Sequence, residues 1–542
     1  MKLRTILKAG SALVMLSAVA AKAQATHPET GETLAEVQTF TYRVLDEHSS
    51  VDPQVVEDTY GADIVRDLFE GLMNQDAEGE LTPGVATGYE VSEDGLTYTF
   101  TLRDNARWSN GDPVLASDFV YAWKRAVDPA LASEYAWFME LMSIENAAAI
   151  IAGEMDKEEL GVTAPDDQTF VVTLSQPLPY FAQMTTHSTT FPVHPATVEE
   201  FGDAWTRPEN IVSNGAYVLS EHVPQERTVR VRNENYWDNE NTILDEVTTL
   251  VINDVNQGLT RYLAGEVDRT ETPPGQFQRL LAEYPDQAIS IPRLCSYYYN
   301  FNLAEGGPEA LQDVRVRQAM NLAVNRDVLV TNVLGAGQTA AYNFTPVRTA
   351  GFELPELPIA DMTQDERNAM AVELMNEAGY GVGGEPLSVE LLYNTDEAHR
   401  NIAVALGQMW QQTLGIETTL ANQEWQTFLQ TRGNQNFEMA RGAWCGDYNE
   451  ASTFLDLVTT NSGYNDAKYS NEEVDQLMVD AKTAEDPQAN YTRVEQIIAE
   501  EVPIIPIYHY ADGYMFTPTL KGWPVDNVEQ NWYSRELYKV AE

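Results

Sequence analysis

Apolar residues alternate and then take up helical spacing early in the chain. Thr39–Leu45 reads as an alternating strand, and Ile64, Val65, Leu68, Phe69 and Leu72 of "ADIVRDLFEGL" recur at helical intervals. "GLTYTFTLRDNARWSNGD" alternates again and ends on Asn110-Gly111, a turn pair. "ASDFVYAWKRAVDP" predicts a helix capped by Ser117 and stopped before Pro129. "NQGLTRYLAGEVD" predicts a helix leading into a short strand. "PDQAISIPRLCSYYYNFN" is the most strand-like stretch, with Cys295, Tyr297, Tyr299 and Phe301 on one face and Ser296, Tyr298, Asn300 and Asn302 on the other. "VRVRQAMNLAVNRDVLV" predicts a helix. "LSVELLYN", "HRNIAVALGQMWQQTLG" and "IETTLAN" predict a strand–helix–strand unit. Strands alternating with helices imply α/β sheets in each large lobe.

The first residues change the picture of where the protein works. "MKLRTILKAGSALVMLSAVAAKAQA" has a basic start, an apolar run over Ala9–Ala21 and small residues at its end, the form of an export signal cleaved after Ala25. No later apolar run is long enough to span a membrane. The chain of 542 residues exceeds what one core supports, so several domains are expected, and the lack of linkers or repeats predicts interleaved ones. A formal charge of −50 excludes nucleic acid and anionic membrane as partners, since both are polyanions. The acids are scattered, as on a solvated surface suited to a salt-rich habitat.

Chemistry comes last and is sparse. The spacing in "GYGVGGEP" (Gly379–Pro386) follows a helix and precedes a strand, the reverse of a dinucleotide loop, and reads as a helix end and turn. There is no phosphate-binding loop, no zinc-protease motif and no serine nucleophile elbow, and the 7 histidines never approach acids at metal-ligand spacing. Neither a catalytic centre, a metal nor a cofactor is expected. The 2 cysteines, Cys295 and Cys445, are expected to form one disulfide in an exported protein. Around the second, "RGAWCGDYNE" places Arg441, Ala443, Cys445 and Asp447 on one side of an extended segment, with Trp444 and Tyr448 opposite. Small neighbours leave its backbone open to pairing, and opposite charges stand at its ends. An extended peptide has the complementary layout. An ordinary edge strand with a structural salt bridge fits the same residues.

Through "RDLFEGL", "DFVYAWKRAVDP", "NGAYVL", "LCSYYYNFN", "DVRVRQAMNLAVNRD", "LLYNTDEAH", "NQEWQTFLQTR" and "ARGAWCGDYNE", the chain resembles the periplasmic oligopeptide-binding proteins of peptide ABC transporters, family 5 extracellular solute-binding proteins. The resemblance covers nearly all of the mature chain. It implies an α/β, two-lobed periplasmic binding protein-like fold with three domains (class II, cluster C type). The divisions would be a signal peptide over 1–25, domain I over 26–69, 194–294 and 515–542, domain II over 70–193, and domain III over 295–514. It implies that Asp447 pairs with the peptide ammonium, and that Thr59, Ala443 and Cys445 hold the peptide backbone. Arg441, Arg432 and His399 would meet the carboxylate of peptides of different length. Glu57, Tyr121, Asn394, Trp425 and Trp444 would line side-chain pockets, and Cys295–Cys445 matches the family disulfide. Two departures stand out: Leu334 replaces a lysine that holds longer peptides, and Arg293 replaces a tyrosine. The function implied is a monomeric periplasmic receptor that delivers peptides of about two to five residues, tripeptides favoured, to an inner-membrane ABC permease. A cell-wall (murein) peptide receptor is the alternative, and an exported peptide hydrolase a more distant one.

Overall fold

Two long strands, Ala288–Phe301 and Ile504–Phe516, lie antiparallel at the middle of an eleven-stranded sheet. The computed structural model describes residues 25–380, 383–484 and 486–541. The export signal expected over 1–25 lies, save for Ala25, outside the described residues. From the long pair the sheet extends both ways. One wing adds Arg269–Glu271, Thr39–Val44, Glu246–Val251, Arg227–Arg232 and Tyr217–Val223; the other adds Met439–Cys445, Ser388–Asn394 and Glu417–Gln423. Each wing contains parallel pairs, Thr39–Val44 with Glu246–Val251 and Ser388–Asn394 with both its neighbours. Helix Glu397–Leu414 makes the crossover between Ser388–Asn394 and Glu417–Gln423, completing the expected unit, and Gly415 at φ 75° lets the chain leave the helix.

The predicted strand faces are real. Tyr297, Tyr299 and Phe301 enter one hydrophobic core, while Leu294 and Tyr298 enter another. Pairing with Ile504–Phe516 loses regular register between Pro292 and Ser296 and again between Tyr297 and Tyr298. Such irregularities bend and twist a strand locally.

A four-stranded antiparallel sheet (Ala86–Val91, Thr97–Leu102, Thr169–Thr173, Val162–Asp166) stands apart, covered by helix Ala116–Ala126. Phe119 and Trp123 of that helix pack on Phe170. Ser117 does not cap it. The helix starts one residue earlier, where the Asp118 carboxylate accepts the Leu115 N–H at 3.0 Å, and Ser117 sits exposed in the first turn. The helix expected over "VRVRQAMNLAVNRDVLV" is broken. Val314–Leu322 ends, the Asn325 side chain accepts the Val328 N–H at 3.2 Å, and a wide turn, Leu329–Leu334, follows. Asparagine competes for backbone bonds inside helices, which apolar periodicity does not register. Gly379, at φ 87°, ends helix Gln364–Glu377 as expected, and residues 381–382 of that turn lie outside the described ones.

A candidate peptide cleft

A cavity of about 410 Å³ opens between the wings, lined by the start of helix Thr59–Leu68, strand Met439–Cys445, parts of Ile504–Phe516 and the segment 523–532. That volume suits a small organic ligand. Its floor is a half-paired strand. Met439–Cys445 pairs along its whole length with Cys295–Phe301, but on its other edge only Met439 and Ala440 meet Leu391 and Leu392. From Arg441 to Cys445 that edge has no strand partner among the described residues. Backbone groups of alternate residues there remain available for an added strand. The strand can lie so close to its neighbour because Gly442 has no side chain: a Cβ there would come within 2.4 Å of the Tyr298 ring. Thr59, first residue of its helix, brings a first-turn amide without an intrahelical acceptor to the opposite wall.

Asp447 lies just beyond the strand and lines the cavity. Its backbone N–H donates to Thr453 Oγ1 at 3.0 Å, which fixes the turn. Its side chain is 8 % exposed; Oδ1 accepts from the Tyr135 hydroxyl at 3.4 Å, and Oδ2 is buried with no hydrogen-bond partner. His187 Nε2 is 3.5 Å away, yet burial and then the Arg66 charge hold that imidazole down to about 3, so it stands neutral. Burial therefore pushes the Asp447 carboxyl well above its ordinary value. Among the described residues no charged cation pairs with this group.

The opposite end carries the cations. Arg441 lies over the Tyr297 ring, 5.1 Å to its centroid, and donates to the Tyr510 hydroxyl at 2.9 Å. Its Nε is buried without a partner, and among the described residues no carboxylate lies within ion-pair distance of it. The salt bridge between Arg441 and Asp447 that an ordinary edge strand would use is not made. Arg432 is already paired, with Asp466 Oδ2 at 2.9 Å. His399 is held down to about 3 by burial and then by Arg441, so it can offer a neutral ring N–H but no charge. Glu57, Asn394, Trp425 and Trp444 all line the cavity as expected, with the Glu57 carboxyl raised to about 7 by burial and then by Glu134.

Tyr121 does not line this cavity. Its helix turns Phe119, Ala122 and Trp123 into the core, which leaves Tyr121 on the far flank, in a second cavity with Asp52 and Trp205. Tyr135 of the same lobe does line the cleft. Together with His187 and Tyr510 it escaped sequence reasoning, since each stands far along the chain from Asp447 and Arg441 with no motif around it. Leu334, 6 % exposed, lines the cavity. Arg293 also lines it, but Asp512 Oδ2 at 3.0 Å neutralises the charge that its substitution adds. Cys295 and Cys445, paired residues on adjacent strands, form the expected disulfide.

Known proteins place this architecture. The pattern described as bacterial extracellular solute-binding proteins, family 5 Middle, matches residues 80–466. The periplasmic murein peptide-binding protein MppA of Escherichia coli is 45 % identical over 94 % of this chain and 95 % of its own. The periplasmic oligopeptide-binding protein OppA of Salmonella typhimurium is 41 % identical over 99 % of this chain and 98 % of its own. A solved structure of the murein tripeptide-binding protein superposes with a TM-score of 0.91 at 44 % identity, covering 94 % of this chain and 100 % of that one. The unliganded open form of MppA, also 44 % identical and covering 95 % and 99 %, gives only 0.69, so the lobes here are arranged as in the former. The chain belongs to the family 5 bacterial extracellular solute-binding proteins.

Proposed function

We propose that the protein is a periplasmic receptor that encloses short peptides by backbone and termini and passes them to an ABC permease, without hydrolysing them. One observation carries this reading: among the described residues a strand edge without a strand partner runs from Arg441 to Cys445, with a guanidinium free of any carboxylate at one end and the Asp447 carboxyl, its Oδ2 unpartnered, beyond the other. Main-chain pairing and terminal charges are common to all peptides, so such a site binds without reading sequence. The divisions 26–69, 70–193, 194–294, 295–514 and 515–542 fit this reading. Two of the boundaries fall inside the long central strands, and the one at 294/295 coincides with a register irregularity, where bending would open and close the lobes. In calorimetry, a tripeptide should bind as the free acid and amine, and far less well when acetylated or amidated. Mass spectrometry should recover it intact after incubation; cleaved peptide would overturn the non-enzymatic reading. The likeness to MppA keeps γ-linked cell-wall peptides as a second reading, and identifying the ligands that co-purify with the protein separates the two.

Binding is expected to release a proton. Burial keeps the proton on Asp447 above the ordinary carboxylate range, and an incoming ammonium favours the ionised form. Affinity should therefore rise with pH up to the raised Asp447 value, then fall as the peptide amine deprotonates near about 8. Calorimetry in buffers of different ionisation enthalpy should show the release, and Asp447→Asn should abolish it. The same shift has the opposite sign for folding: without ligand, stability falls as pH rises from the ordinary carboxylate value towards the raised one.

Peptide length is governed by where a cation meets the carboxylate. With Arg432 paired, His399 neutral and Leu334 in the lysine's place, Arg441 alone remains, which favours tripeptides. Leu334→Lys should strengthen tetrapeptides by about 1–3 kcal/mol and leave tripeptides nearly unchanged, in a calorimetric series from di- to pentapeptides. Equal gains at every length would indicate general attraction instead.

A further inference from the structure

A second carboxylate stands near the first. Glu529 lines the same cavity, only 6 % exposed. Its Oε2 accepts from Gln75 Nε2 at 2.7 Å, while Oε1 is buried with no hydrogen-bond partner. Two backbone bonds fix its place relative to Asp447. Leu294 N–H donates to the Val528 carbonyl at 2.6 Å, and Gly446 N–H donates to the Leu294 carbonyl at 2.8 Å. The residues before Glu529 and before Asp447 are thus linked through one shared neighbour, and the Glu529 charge helps to raise Asp447 after burial itself.

The charges at this end do not balance. Arg66 also lines the cavity; Asp63 engages it at 2.5 Å, and its charge offsets only part of the burial that raises Glu529. His187 is neutral. Two buried, unpartnered carboxylate oxygens belong to residues that line the cavity, and a peptide α-ammonium satisfies one of them. We infer that this end of the cleft prefers a peptide whose first residue carries a basic side chain, the α-ammonium on Asp447 and the side-chain cation on Glu529. This rests on the peptide-receptor reading above and names the ligand class within it. A neutral first residue is tolerated because the Glu529 carboxyl, raised to about 7 by burial, can hold a proton near neutrality. The outcome is a preference, not an exclusion.

The test is a calorimetric comparison of Lys-Ala-Ala, norleucine-Ala-Ala, Ala-Lys-Ala and trialanine on the full chain. Lysine at the first position should bind about tenfold tighter than norleucine, which has a similar stem without the charge, and lysine at the second position should gain nothing. Glu529→Gln should erase that advantage, so that the lysine and norleucine peptides bind alike. Equal affinity of the lysine and norleucine peptides for the unaltered protein overturns the inference without recourse to any variant. So does an advantage that survives Glu529→Gln. If none of the four peptides binds, the peptide-receptor reading fails, and this inference with it.

Discussion

Asp447→Asn is expected to weaken binding of a free-amine tripeptide by about 3 kcal/mol, roughly a hundredfold in Kd. The size follows from burial. Asp447 is 8 % exposed, and among the described residues no charged cation pairs with it. An ammonium enclosed there without a counter-charge keeps its full desolvation cost. Asparagine preserves the shape and can still accept from Tyr135, so the loss reports charge rather than packing. The folded protein should be no less stable for the change, because a buried orphan carboxyl is a liability in the absence of ligand. An N-acetylated peptide should bind the native protein poorly and the variant about as poorly. Equal affinity of acetylated and free peptides for the native protein would remove Asp447 from this role.

Removing the disulfide with Cys295→Ser and Cys445→Ser is expected to cost up to about 5 kcal/mol, the loop-closure value for a sequence separation of 150. The two residues are also partners in the sheet, so strand pairing recovers part of the register without the covalent bond. Denaturant midpoints of the oxidised protein and the double variant measure the difference, and thiol titration of the unfolded, unreduced chain should find none free. Coincident midpoints would show that the bridge adds nothing to what the strands already enforce. Cys445 also lines the cleft, so the variant should loosen the binding edge while leaving its charges in place.

Local pattern carried much of the fold. Alternation found the tyrosine strand and both its faces, and helical spacing found Glu397–Leu414 and Thr59–Leu68, although Phe69 and Leu72 lie past the end of the latter. It failed where side chains compete with the backbone, as at Asp118 and Asn325, because capping depends on one hydrogen bond rather than on periodicity. At the site, "RGAWCGDYNE" displayed its own strand edge and both charged ends. What it could not display was the state of those charges. That Arg432 is committed to Asp466, that His399 is neutral and that Glu529 stands near Asp447 depend on burial and on residues distant in sequence. The misplacing of Tyr121 has the same root, since which flank of its helix meets the cleft depends on how the helix packs on Phe170.

Asp67 Oδ2 lies 3.0 Å from Arg230 Nη1, and its two carboxylate oxygens accept from the Ser534 N–H at 3.0 Å and the Ser534 hydroxyl at 2.7 Å, all of it buried. Three stretches of chain meet there, one of them 467 residues from Asp67 and almost at the end. This cluster is therefore incomplete until Ser534, 467 residues along the chain, has reached Asp67. Contacts so distant in sequence close slowly. On refolding, the backbone around this cluster should be among the last to gain protection from hydrogen exchange.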